Sequence, residues 1–377
     1  MPRIIVAGYL VRHPLGGQIW NHLQYPLGLR QLGYDVYFFE ESGWPNSCFD
    51  PTHNRCSNNP SSGLRMIAPL MERLGLKDRW VYRDATRKHW GLSAKQAREI
   101  ISQADLLFNL SGVSWFEGFE RIPQRVYVDE DPAFTQIKAA HDRKTLQFLT
   151  SHTHMFSYGR NIGKPGCRLP TLGLKWQTCC QPVVLHEWPM RFSARATRFT
   201  TVMSWASYSS VRFRGETYGQ KDVELSKFIR LPTLTSQGLE LAVGGDVALK
   251  KLTPHGWHIV EPFGVSRTVD TYRDYIRRSR GEFSIAKNGY VKARSGWFSD
   301  RSATYLATGK PVILQDTGYS EWLPVGEGLY AFNNMEEALT ALETVNSDYM
   351  RNCKAARAIA LEYFDSNKVL RRWLDML

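Results

Sequence analysis

The segment Ser295-Gly-Trp-Phe-Ser-Asp-Arg-Ser302, continued by Ala303-Thr-Tyr-Leu-Ala-Thr-Gly-Lys-Pro-Val312, carries the reading of the fold. Ser299 is a favoured N-cap type, the residues to Thr308 suit a helix, and Gly309 is placed to stop it. Pro311-Val-Ile-Leu314 then reads as a short buried strand. A helix N-terminus offers backbone N–H groups without intrahelical partners and a partial positive charge, so this turn can cradle a phosphate. Arg301 in the first turn is unfavourable for the helix itself, and a bound anion there would offset it.

Upstream, the strand reading extends to Glu282-Phe-Ser-Ile-Ala286, Trp257-His-Ile-Val260, Leu239-Glu-Leu-Ala-Val243 and Thr200-Thr-Val-Met-Ser-Trp205. Helices lie between them, one from Asp222 to Arg230. The N-terminal half shows the same alternation. Arg3-Ile-Ile-Val-Ala-Gly8 is the continuous apolar run of a strand buried on both faces of a parallel sheet. After the loop His13-Pro-Leu-Gly-Gly17 comes a helix with Ile19, Leu23 and Leu27 on one face and Gly33 as its stop. Pro26 is expected to kink or divide it. Tyr34-Asp-Val-Tyr-Phe-Phe39 completes a βαβ unit, whose crossover makes the sheet parallel. A helix from Ser93 to Gln103 and strands at Asp105–Asn109, Arg125–Asp129 and His154–Tyr158 follow. Ser42 to Ser62, rich in Pro, Asn, Ser and Gly, reads as a long surface loop at a site mouth. The pattern restarts near residues 186 to 198, which sets the expected domains at 1–190 and 191–346. The helices of 347–377 are expected to pack back on the first domain.

Bulk properties agree. A chain of 377 residues exceeds the size at which one core stops growing, so two domains are expected. With 43% apolar and 22% charged residues it is an ordinary globular sequence. Its apolar runs fall short of the roughly 20 residues that span a bilayer. Six cysteines without any Cys-x-x-Cys pair, and no signal-peptide pattern, lead us to expect reduced thiols and a cytoplasmic location. The formal net charge of +12 points to a polyanionic partner: nucleic acid, an anionic membrane face or a nucleotide diphosphate. The arginines are dispersed instead of forming a basic stripe, which makes nucleic acid the less favoured of these and leaves it open. A dinucleotide oxidoreductase would want Gly-x-Gly-x-x-Gly in the first loop. His13-Pro-Leu-Gly-Gly-Gln18 lacks it, although Glu40 does end the second strand.

The succession of helix, Gly-Lys-Pro-Val strand, Gln315-Asp-Thr-Gly318 loop and Gly326-Glu-Gly-Leu329 segment resembles the GT-B glycosyltransferases, nucleotide-sugar enzymes of two Rossmann-like domains. The resemblance covers nearly the whole chain and is strongest from Tyr272 to Phe332. It implies an α/β fold with an interdomain cleft. By position it implies that Ser299, Asp300, Arg301 and Ser302 line the donor diphosphate, and that Gln315, Asp316 and Thr317 reach the sugar. Gly16 and Gly17 match the family's glycine pair, where a missing side chain lets the donor approach the backbone. Arg212, Arg214 and Lys221 lie in the region where retaining members set an arginine and a lysine against the leaving diphosphate. The Glu-x7-Glu pattern of many retaining members would fall on Gly296 and Thr304 here, and its absence favours inversion. The spacing from Gly-Trp to Gly-x-Pro is longer than in plant-type inverting members, so no subfamily is assigned.

The catalytic candidates follow. His13 lies in the loop where an inverting member often keeps its general base, and an imidazole suits that task. Asp129, Glu130 and Asp131 end a strand before Pro132, and strand C-termini face the crevice in open α/β sheets. Asp129 or Asp131 could supply a base or orient one; Asp131 could equally cap a helix. Lys287 ends its strand and should point into the crevice. His152 and His154 share a face but have no apparent third ligand, so no metal site is assigned. The expected activity moves a sugar from a nucleoside-diphosphate sugar to an unidentified acceptor hydroxyl, with inversion and no required metal or other cofactor. The alternatives are a nucleotide-sugar epimerase or hydrolase of the same fold, and a basic nucleic-acid-binding protein, including one that glycosylates DNA.

Overall fold

Arg3–Ala7 is an interior strand of an eight-stranded sheet because every residue after Arg3 is apolar and buried. In the computed structural model, which describes residues 2–193, 195–243 and 246–377, it pairs in parallel with Asp35–Glu41 on one side and Leu106–Leu110 on the other. Trp80–Arg83 extends the first side. Gln124–Asp129, His154–Ser157 and Trp176–Thr178 extend the second, all in parallel. The edge strand His89–Gly91 runs antiparallel.

A second sheet repeats this plan with six parallel strands. Arg198–Met203 lies between Gly238–Val243, followed by His258–Val260, and Gly281–Ser284, followed by Val312–Gln315 and Leu329–Phe332. In both sheets the chain moves outward from the first strand in one direction, then returns to its other side. That reversal is the topological switch point at which open α/β sheets bind ligands, beyond the strand C-termini.

The lobes meet along the helix Gly16–Gln31, which packs on the helix Val269–Arg278 of the second lobe. Trp20 donates from its indole N–H to the Val269 carbonyl at 2.9 Å and meets Trp188 edge-on at 5.2 Å. Pro26 does not divide this helix, which continues to Gln31. The turns beyond Pro26 are held by the C-terminal helix Ser366–Leu374, whose Trp373 lies against Tyr25, Phe108 and Phe156 of the first lobe. Gly28 permits that contact, since a Cβ there would fall 2.6 Å from Leu370 Cδ1. The chain therefore returns to the first lobe at its end. The expected loop 42–62 contains a small antiparallel pair, Cys48–Asp50 with Arg55–Ser57.

Candidate active site

The first lobe's wall is built at its strand C-termini. Glu40 ends the strand beside Arg3–Ala7, and its buried carboxylate accepts N–H bonds from Leu10 at 2.7 Å and from Val11 and Arg12 at 2.8 Å. Three consecutive amides around one carboxylate fix the loop. The acid that a dinucleotide enzyme would turn toward a ribose is occupied by backbone. Arg12 is buried beneath this loop, donating to the carbonyls of Ser42 at 3.2 Å and Val113 at 3.0 Å, with the exposed Trp44 ring 4.6 Å away. His13 opens to solvent on one side and stacks on Phe49 at 5.1 Å. The protein around its ring pushes its pKa below the ordinary histidine range, and Arg12 acts in the same direction.

The three consecutive acids have three different surroundings. Asp129 has no exposed surface. Its oxygens accept from Thr135 Oγ1, Gln136 Nε2 and Ser157 Oγ, each at 2.7 Å, and from the Asp131 N–H at 3.2 Å. Burial pushes its pKa up to about 6. This corrects the expected base role: Asp129 anchors a turn and does not open onto the cleft. The turn contains Ala133 at φ 83° and ψ −55°, an uncommon backbone conformation of the kind that clusters at functional sites. Asp131 reaches the other lobe, where Lys287 Nζ lies 3.0 and 3.2 Å from its two oxygens and the Tyr208 and Tyr290 hydroxyls donate to it. Lys287 thus does point into the gap, as an interlobe tie. Glu130 sits between these two, accepting from Asn21 Nδ2 at 3.0 Å and Ser111 Oγ at 2.6 Å.

The second lobe's wall contains the helix Asp300–Ala307. Ser299 occupies the N-cap without a side-chain cap bond, and the first returning bond is Ala303 N–H to the Ser299 carbonyl at 3.0 Å. The amides before it have no intrahelical partner. Arg301 does not line the gap as expected. Its Nε donates to Glu282, Nη1 to the Val202 carbonyl at 3.0 Å and Nη2 to Ser284 Oγ at 2.8 Å. The anion that offsets Arg301 is therefore a buried glutamate of the adjacent strand. Ser302 is buried as well, while Asp300 lies with Gly17, Asn21 and Tyr272 along a narrow interlobe crevice.

The expected sugar contacts also turn inward. Gln315 donates to the buried Glu224 at 2.6 Å, Asp316 accepts from the Gly318 N–H at 2.9 Å and Ser320 Oγ at 2.8 Å, and Thr317 donates to the Trp297 carbonyl. Thr317 thus braces the turn before the helix, Asp316 closes its own loop and Gln315 ties its strand end to the segment that carries Glu224. Gly16 and Gly17 face protein: a Cβ on Gly16 would lie 2.2 Å from the Thr268 carbonyl oxygen, and one on Gly17 would meet the Tyr272 ring at 3.0 Å. The missing side chains admit the second lobe's helix at these two positions.

Lys221 is different. It opens the short helix Lys221–Leu225, is 9% exposed, and makes no hydrogen bond or ion pair among the described residues. Burial holds its pKa well below the ordinary lysine range, and Arg301 and Lys287 push the same way. Arg212 and Arg214 are exposed on a hairpin, Val211–Phe213 with Glu216–Tyr218, whose turn sets Arg214 at φ 50° and Gly215 at φ 79°. The hairpin reaches the first lobe, where His141 Nε2 lies 3.1 Å from the Arg212 carbonyl oxygen. Beneath it runs a groove of about 960 Å³ lined from both lobes, by Tyr9, Ser111 and Asp131 on one side and Tyr208 and Arg212 on the other. Ser111, Tyr208, Tyr290 and Glu282 were not singled out from sequence. Ser111-Gly112 directly after a strand was the one local signal available, since two polar or small residues there suit a tight turn.

No protein-family profile matches the sequence, and no curated protein matches it. Solved structures match its fold. An alpha-glucosyltransferase in complex with UDP and a 13-mer DNA superposes with a TM-score of 0.61 at 9% identity, over 99% of this chain and 98% of that one. Sucrose-phosphate synthase from Thermosynechococcus elongatus gives 0.55 at 11% identity, over 100% and 98%. HepE from Anabaena, in complex with UDP and glucose, gives 0.55 at 10% identity, over 100% of both chains. Two sheets of Rossmann-like order, parallel but for one edge strand, a cleft between their strand C-termini and a returning C-terminal helix together make this a protein of the GT-B fold.

Proposed function

We propose that the chain is a glycosyltransferase that moves a sugar from a nucleoside-diphosphate sugar to an acceptor hydroxyl, inverting the anomeric centre and requiring no metal. The observation that carries this reading is Lys221, a buried lysine with no hydrogen-bond or ion-pair partner among the described residues, close enough to Asp300 and Arg301 at the start of the helix Asp300–Ala307 to feel their charges. An isolated buried ammonium is unfavourable unless an anion joins it. A diphosphate leaving group supplies that anion, and charge grows on it as the glycosidic bond breaks. Lys221 and the first-turn amides would stabilise that charge more in the transition state than in the bound donor, which is the condition for acceleration. These groups supply positive charge where a metal would otherwise act. The UDP in two of the compared structures makes uridine the first nucleotide to try. Inversion draws support from Gly296 and Thr304, which stand where many retaining members carry glutamates.

The test is thermal melting with UDP, GDP, TDP and ADP. One diphosphate should raise the midpoint, by about 2.7 kcal/mol of stability at a hundredfold excess over its Kd. Indifference to all four would refute the reading. Product analysis of the sugar nucleotide incubated without acceptor separates transfer from epimerisation.

A further inference from the structure

We propose that Ser111 and Glu130 are the proton-accepting pair of this reaction, an assignment that rests on the glycosyl-transfer reading above. Ser111 directly follows the strand Leu106–Leu110, beside the first strand and so at the switch point of the N-terminal sheet. It adopts φ 54° and Gly112 adopts φ 64°. A left-handed serine is uncommon, and such conformations concentrate where a side chain must be aimed. The aim here is Glu130: Ser111 Oγ donates to its Oε2 at 2.6 Å while Ser111 also lines the groove shared by both lobes.

Glu130 is held for this task. Its side chain is 12% exposed, so it lies behind Ser111 instead of in open solvent. Asn21 Nδ2 donates to Oε1 at 3.0 Å, and His22 Nε2 lies 3.3 Å from Oε2. His22 is fully buried, and its Nδ1 accepts the Tyr9 N–H at 3.0 Å, so the ring proton sits on Nε2 and faces Glu130. Three donors from two elements keep the carboxylate ionised and in one orientation, and its pKa lies below the usual glutamate range despite burial. Neighbouring acids are committed elsewhere, Asp129 to its turn and Asp131 to Lys287.

In the step, the acceptor oxygen uses a lone pair to bond the anomeric carbon. The bond from that carbon to the diphosphate oxygen breaks, and its electron pair leaves with the diphosphate. The acceptor proton passes to Ser111 Oγ as the serine proton passes to Glu130 Oε2, and the resulting carboxylic acid later releases it to water. Ser111 is the catalytic residue of the pair and Glu130 acts through it.

The experiment uses the full chain and UDP-glucose, with water as acceptor, and measures UDP release, the first-formed glucose anomer and melting with and without UDP. Ser111→Gly is the decisive variant because glycine is comfortable at φ 54°. It should melt near the wild-type temperature, since relief of the left-handed backbone offsets the lost hydrogen bond to Glu130, keep the UDP-induced shift and the KM for UDP-glucose, and lose kcat at least a hundredfold. Glu130→Gln should lose kcat similarly, and Glu130→Asp should recover part of it. Wild-type kcat retained by Ser111→Gly overturns the pair. So does retention of anomeric configuration, or a wild-type chain that binds UDP yet never hydrolyses UDP-glucose. Absence of any UDP-induced shift in the wild type counts instead against the underlying glycosyl-transfer reading.

Discussion

Replacing Lys221 by methionine should stabilise the unliganded protein and at the same time weaken its response to nucleotide. Lys221 is 9% exposed, burial lowers its pKa, and Arg301 and Lys287 repel it without any described carboxylate bonded to its Nζ. Methionine keeps the length of the side chain and removes the charge. Exchanging buried charge for apolar volume commonly gains about 1–4 kcal/mol. At about 2–4 °C per kcal/mol for a domain of this size, the midpoint of the unliganded variant should rise by several degrees. The bound state moves oppositely. A hydrogen bond to a charged group is worth about 1.5–3 kcal/mol, so Kd for the diphosphate should rise roughly 10- to 150-fold. At a concentration a hundred times the wild-type Kd, stabilisation by nucleotide then falls from about 2.7 to about 0.3–1.4 kcal/mol. Differential scanning calorimetry with and without nucleotide reads both numbers. If the unliganded variant melts lower, Lys221 has a structural partner. If the nucleotide shift is undiminished, the phosphate lies elsewhere, and the reasoning fails in either case.

Three further outcomes follow from the same geometry. Arg301→Ala strands the fully buried Glu282 and should destabilise the second lobe by about 3–5 kcal/mol in guanidinium unfolding; a stable variant that merely loses nucleotide would return Arg301 to the ligand. Gly16→Ala drives a methyl against the Thr268 carbonyl, 2.2 Å away, and should cost about 1–3 kcal/mol or part the lobes, which small-angle scattering detects as a larger radius of gyration; an unchanged radius and midpoint would show that the interlobe contact yields. Asp129 has a folded pKa near 6 against an ordinary value of 3.8, so the native state holds its proton more tightly than the unfolded chain does. Its contribution is therefore full below about pH 4 and is lost as pH rises through 6, a change of about 3 kcal/mol. The stability of Asp129→Asn relative to wild type should improve by about that amount between pH 4 and pH 7, and a difference that stays constant with pH would exclude the titration.

The fold was more legible than the site because its determinants are local. Strands buried on both faces must be runs of apolar residues, which is why Arg3–Ala7 and Val312–Gln315 stand out. Ser299 and Gly309 bracket a helix by their own conformational preferences. Side-chain direction has no such local signature. Arg301 turns away from the gap because Glu282 waits on the neighbouring strand, nineteen residues earlier. Asp129, Glu130 and Asp131 are nearly interchangeable as letters; Ser157, Ser111 and Lys287 distinguish them, and each comes from another element. Gly16 and Gly17 were read as positions where a donor approaches the backbone; a glycine does not say what approaches, and here a helix of the opposite lobe lies against both.

The distribution of buried charge gives the cleft a direction. On the second lobe, Arg301 is neutralised by Glu282, which leaves the opening amides of the helix Asp300–Ala307 as positive dipoles and Lys221, unpaired among the described residues, as a group whose charge burial disfavours until an anion joins it. The acid on that wall, Asp300, has its pKa raised by burial, which disfavours its charge. On the first lobe, Glu130 keeps its charge, against the cost of burial, through His22, Ser111 and Asn21. Asp131 and Lys287 cancel each other at the rim. What remains is negative on the side where an acceptor must surrender a proton and positive on the side where a diphosphate must depart. A displacement that moves electrons from the first lobe toward the second runs down this field, and the reverse arrangement of substrates would run against it.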